Sequence, residues 1–249
     1  MAIVISLCLF MLASFVSAET LILTIASVHE TTPYVTKDHQ GILDKLYAEA
    51  FKRVGKKVII QPVFPARGIY QANHGTVDGE ALRIEGIELH YTNLIRVPEI
   101  VWEGDASVFT NKRRTDIKPH GWQSLEGYRI GYLNGWLFPE PYIGGFNNIH
   151  KSNYLSSLID MVEHDRLDVF IHLRLVTLYY LKKQGNTSVK ELKPVLAKLP
   201  LYLYLHKRHA RLVPDLIKAL QTMKKDGTYQ SVYDMINCQL ALQHDKRGC

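Results

Sequence analysis

The sequence predicts an α/β fold built from two similar units, and three observations carry that expectation. Apolar runs of strand length alternate with helically spaced apolar residues, in the order β-α-β-α-β, from residue 21 to residue 82. That order implies a parallel sheet covered by helices. The alternation begins again at residue 127, after an extended stretch at 99–111.

The elements follow in chain order. Residues 21–28 are a β-rich apolar run. Residues 41–54 place Ile42, Leu46, Tyr47, Ala50, Phe51 and Val54 on one helical face, and Gly55 ends that helix. Residues 57–63 read as a second strand, 66–74 as a short helix and 77–82 as a third strand. In the second unit, 127–133 is a strand and 153–163 a helix with Leu155, Leu158, Ile159 and Val162 inward. Residues 167–172 are a strand and 175–183 a helix, and 199–206 is extended. Two helices close the chain. One covers 214–225, with Pro214 suited to its first turn; the other covers 228–240.

Composition narrows the function. Residues 3–16 are almost unbroken in apolar character, and Val16-Ser17-Ala18 has the small-residue pattern of a signal-peptidase site. Residues 1–18 therefore read as a secretory signal, although no Lys or Arg precedes the apolar core. The run is too short for a comfortable membrane span. Cys8 lies inside it, too far from Ala18 to be a lipidated cysteine at the cleavage point. The signal carries no charge, so the remaining chain keeps the net charge of +6. That mild, scattered excess is not the dense basic stripe that nucleic-acid binding requires. Cys238 and Cys249 remain, and an oxidising compartment permits a disulfide between them without requiring it.

Six ordered stretches carry a family resemblance: "TPYV" at 32–35, "GILDKLYAEAFKRVGKKV" at 41–58, "HGTVDGE" at 74–80, "SLEGYRIGYLNG" at 124–135, "EHDRLDVFI" at 163–171 and "MKKDGTYQSVYD" at 223–234. Together they resemble the type II periplasmic binding proteins, specifically the extracellular solute-binding proteins of family 3, which bind polar amino acids for ABC importers. The resemblance implies two lobes, each a mostly parallel sheet flanked by helices, joined by a two-strand hinge. Lobe 1 would comprise 19–107 and 203–249, and lobe 2 would comprise 108–202. It further implies a free periplasmic monomer that closes on a small solute, with no cofactor or metal.

Ligands of open α/β sheets sit beyond the carboxyl ends of the strands. Those ends gather Glu30, Tyr34, Arg67, Arg83, Trp136 and His172. Arg83 lies at a strand end with Arg67 nearby, and a guanidinium fork suits a carboxylate. The competing reading of Arg83 is an exposed loop residue or a local pair with Glu80 or Glu85. Arg67 sits at a helix start, where a cation opposes the helix dipole; otherwise it is a solvated first-turn residue. Tyr34, Trp102 and Trp136 are candidate aromatic walls, with plain packing as the alternative. Glu30 is either an ammonium partner or surface charge.

His172 departs from the resemblance, because amino-acid binders of that family carry an Asp about there. The family's carboxylate-clamping Arg has no clean match either, and His90 falls near its place. Enzyme signatures are thin. His206 and His209 in "HKRH" read as a solvated turn, and no set of three or four converging zinc ligands is evident. The expected product is an exported binder of a small polar, carboxylate-bearing solute that serves an ABC importer. Two alternatives remain: a cyclic-acid dehydratase on this fold, with Glu30 or His172 as its acid, and a ligand sensor docking to a membrane receptor.

Overall fold

The computed structural model describes residues 18–26 and 31–241, with side chains to residue 235. The expected signal segment, Glu30 and the side chains of Cys238 and Cys249 lie outside that description.

The first unit runs β1 (Thr20–Ala26), α1 (Ile42–Arg53), β2 (Lys57–Val63), α2 (Pro65–Asn73) and β3 (Gly79–Ile84). A short strand, β4 (Leu94–Arg96), leads to the long β5 (Trp102–Asn111). The second unit is β6 (Ile130–Leu133), α3 (Glu140–Ile143), β7 (Ile149–Ser152), α4 (Leu155–Glu163), β8 (Val169–Leu173) and α5 (Arg174–Lys183). The 18-residue β9 (Val189–His206) returns the chain to the first unit. There α6 (Val213–Lys225) and α7 (Thr228–Ala241) complete it.

Among the described residues the nine strands share one sheet, ordered β2-β1-β3-β9-β5-β8-β6-β7, with β4 also on β9. β1 pairs in parallel with β2 and β3, and β6 pairs in parallel with β7 and β8. These are the two parallel units expected from the alternation. The antiparallel pair β5–β9 joins them. β9 starts ten residues before the stretch at 199–206 that the sequence marks as extended. Its first half, with Lys190, Lys193 and Pro194, lacks the apolar run that signals a strand.

Local chemistry explains the elements. Helix α1 starts at Gly41, and Asp44 in its first turn accepts the backbone N–H groups of Gly41 and Thr36, each at 3.0 Å. Its apolar face, including Leu46, Tyr47 and Phe51, is fully buried. Burial of side chains that size contributes roughly 1.5–3 kcal/mol each. The Tyr47 hydroxyl donates to the carbonyl of Ala81, tying α1 to β3.

One aspartate holds each unit in the same way. Asp78 accepts Ile22 N–H of β1 at 2.7 Å, and Asp168 accepts Arg129 N–H just before β6 at 2.8 Å. Bonds from Arg129, then from Arg114, keep the Asp168 carboxyl well below the usual carboxylate range. Asp78 also holds the segment expected to be a solvated turn, because His209 Nε2 lies 2.6 Å from its Oδ1 and Arg208 Nη2 lies 2.5 Å away. The "HKRH" stretch is therefore an anchored 3₁₀ turn, Lys207–Leu212, with His209 largely covered. Gly79 follows Asp78 because no side chain fits: a Cβ there would stand 2.0 Å from the Tyr204 carbonyl oxygen.

Candidate functional site

The carboxyl ends of β1, β3, β6 and β8 converge on a partly open cavity of about 60 Å³ between the two units. At ~10–15 Å³ per water-sized sphere, that is room for a few waters. Ile25, Tyr34, Arg83 and Ile87 line it from the first unit; Leu133, Trp136, Phe138 and His172 line it from the second. The wall is mainly hydrocarbon and aromatic.

Arg83 is buried, and its charge is already met. Nε donates to Glu80 Oε2 at 3.1 Å, and Nη2 donates to Glu80 Oε1 at 3.2 Å and to the Pro65 carbonyl at 2.8 Å. Arg83 thus pairs with Glu80, one of the two local partners weighed from sequence. Glu80 is fully buried. Burial pushes its carboxyl up and the guanidinium pulls it back. Both of its oxygens accept from the guanidinium, and the ion pair fits that geometry. Arg83 Nη1 makes no hydrogen bond among the described residues, and Arg83 lines the cavity.

His172 ends β8 and is buried. Its Nδ1 is 2.9 Å from Thr177 Oγ1, and the Thr177 hydroxyl donates to the Leu173 carbonyl at 3.0 Å. A hydroxyl has one hydrogen to give, so Oγ1 accepts from His172 Nδ1–H. With both bonds made, Nε2 is the acceptor nitrogen of a residue that lines the cavity. Burial pushes the imidazole down to about 3, so it is neutral at physiological pH. Trp136 lies against it with ring centroids 5.1 Å apart, and Phe138 meets Trp136 edge-on at 5.8 Å.

The remaining candidates lie elsewhere. Trp102 packs behind Tyr34, edge-on at 5.7 Å, and stacks on Tyr233 at 5.3 Å; it supports the wall without lining the cavity. Arg67 is exposed on the outer side of α2, since Pro65 and Gly68 take the inward positions of that turn. Arg96 pairs with Glu85 at 2.6 Å, and His90 is exposed. Thr177 and Phe138 were not singled out in the sequence. Phe138 had a signal in the aromatic stretch "WLFPEPY"; Thr177 acts through a contact that only the fold creates. Among the described residues no group of three His, Cys, Asp or Glu side chains is placed to hold a metal, and no helix is long and apolar enough to cross a membrane.

The two units also meet directly. Gly135, with φ +76°, lies against the first turn of α2, where a Cβ would come within 2.9 Å of Ala66 N. Phe64 and Tyr154 touch edge to face at 5.8 Å.

No family model matches the chain. An uncharacterized protein of Shewanella oneidensis strain MR-1 is 29% identical over 192 residues, covering 74% of this chain and 72% of its own length. An ancestral arginine-binding protein bound to glutamine superimposes with a TM-score of 0.72 at 22% identity, covering 87% of this chain and 96% of its own. A histidine kinase sensor domain with similarity to periplasmic binding proteins superimposes with a TM-score of 0.74 at 12% identity, covering 87% and 95%. The chain has the two-lobe, type II periplasmic-binding-protein fold.

Proposed function

We propose that this protein is an exported binding protein that captures a small solute between its lobes and presents the closed form to a membrane partner. The observation that carries the reading is the cavity with walls from both lobes. A guest touching both walls stabilises the closed form over the open one, and that difference drives closure. Arg83 Nη1 faces the guest's acceptor: the carboxylate expected from sequence, or an uncharged carbonyl in its place. The partner is an importer, in keeping with the resemblance to ABC-importer binding proteins, or a sensor, in keeping with the kinase sensor domain of the same fold. Of the two acids the dehydratase alternative would use, His172 is held neutral by burial, and Glu30 lies outside the described residues.

A thermal-shift screen of amino acids, organic acids and short peptides on the purified protein tests the capture. A ligand bound at 100 times its Kd stabilises by about 2.7 kcal/mol, readily visible as a raised midpoint. Arg83→Ala is expected to abolish the shift by the best hit. A shift that survives the substitution removes Arg83 from the site.

A further inference from the structure

Asn134 and Gly135, in the turn that follows β6, form the sole Asn-Gly pair of the sequence. Trp136 N–H donates to the Leu133 carbonyl at 3.0 Å and closes the turn, with Gly135 third in it at φ +76°. Asn134 N–H is taken by the Ser152 carbonyl at 2.7 Å, whereas Gly135 N–H donates to no acceptor among the described residues. The Asn134 side chain is exposed, and its Nδ2 makes one long bond, at 3.3 Å, to the exposed Asn153. Other asparagines are held more firmly. Asn111 Nδ2 donates to the carbonyls of Val162 and Glu163 while its Oδ1 accepts Arg113 N–H. Asn186 Nδ2 donates to Glu163 while its Oδ1 accepts the N–H groups of Ser188 and Val189. Asn73 and Asn93 hold each other. Every asparagine but Asn134 precedes a residue with a side chain.

We infer that Asn134 is a site of spontaneous covalent modification in the folded protein: deamidation through a cyclic imide, with water as the co-reactant. Gly135 N attacks Asn134 Cγ and gives its proton to solvent. The Cγ–Nδ2 bond breaks, and Nδ2 takes up a proton and leaves as ammonia. Water then opens the ring. Attack at Cγ restores the backbone and leaves aspartate. Attack at the main-chain carbonyl carbon of residue 134 leaves Gly135 N joined to Cγ, which is isoaspartate. Gly135 favours the first step twice: it has no Cβ to crowd the ring, and its N–H gives up no hydrogen bond to move. Both products add a negative charge. Isoaspartate also lengthens the backbone by one carbon between β6 and Trp136, which lines the cavity.

Incubating the purified native protein at pH 6 and at pH 8, with peptide mapping by mass spectrometry and enzymatic methylation of isoaspartate, tests this. The peptide carrying Asn134 is expected to convert at least five-fold faster than any other asparagine peptide. Isoaspartate is expected among its products, and conversion at pH 8 should be at least five-fold faster than at pH 6, because the attacking nitrogen must lose its proton. Asn134→Gln requires a larger ring and is expected to remove the acidic species that ion exchange resolves. If that variant does not fold, peptide mapping of the unmodified protein still decides. An Asn134 peptide that converts no faster than the others, or an acidic species that accumulates unchanged in the variant, overturns the site. Aspartate without isoaspartate, or a rate equal at both pH values, overturns the cyclic route, since direct attack of water on Cγ yields aspartate alone. Conversion seen in urea and absent from the native protein overturns the claim for the folded state.

Discussion

Arg83 and Glu80 are three residues apart in one strand, and in a regular ladder that spacing sends them to opposite faces. Here the pairing of β3 with β9 shifts register between them, and the irregularity lets the two side chains meet. A bulge has no reliable sequence mark, so the strand end was legible and the neutralising partner was one option among several. His172 shows the complementary case. Its departure from the expected Asp was legible, but its neutral state comes from burial and its tautomer from Thr177, five residues on in the next helix. A stability prediction follows from that state. The folded value, about 3, is depressed below the ordinary 6.5 of the unfolded chain. Stability from the neutral imidazole is therefore complete above pH 6.5 and is lost as pH falls from 6.5 toward 3. One such site gives a slope of about 1.4 kcal/mol per pH unit in that window. Urea titrations of the native protein and His172→Gln between pH 7 and pH 4.5 measure it. The substituted protein should lack that part of the acid loss, and parallel curves would show that His172 titrates normally.

Two short segments bring the lobes together: the turn after β6 and the first turn of α2. Gly135 allows their approach twice over, through its positive φ and its missing Cβ. A left-handed residue with a Cβ costs about 1–2 kcal/mol, and here the Cβ would also press on the backbone nitrogen of Ala66. Gly135→Ala is expected to leave each lobe folded and to weaken binding of the best hit about 10-fold, the ratio that 1.4 kcal/mol produces. Its radius of gyration with ligand should stay closer to the ligand-free value. Unchanged affinity would mean that this contact plays no part in closure. At this scale the sequence was most informative. Helices α1, α4 and α6 have strong apolar faces, and their expected spans agree with the structure to within two residues. β7, α3 and the first half of β9 were missed because short or solvent-facing segments lack an apolar period. The cavity-lining positions at strand ends were legible from topology. The positions of Trp102 and Arg67 were not, because residue type cannot tell the front of a wall from its back.

Across the whole molecule the sheet is continuous, yet one place in it is built to bend. β5 and β9 pair from Trp102↔Leu201 to Ala106↔Ala197, then resume at Val108↔Leu192. Four residues of β9, 193–196, stand opposite a single step of β5, leaving their β5-side ladder interrupted at the crossing between lobes. Interrupted pairing lowers the free energy of local opening. Rotation there would move the lobes as bodies and part the contacts of Gly135 and of Phe64 with Tyr154. Amide hydrogen exchange with and without the best hit tests this directly. Residues 193–196 are expected to exchange faster than the flanking parts of β9 in both states. Ligand is expected to slow exchange at 65–69 and 133–138 together, because one guest closes both sides. Protection confined to one lobe would mean that the solute binds a single wall and that the lobes do not close on it.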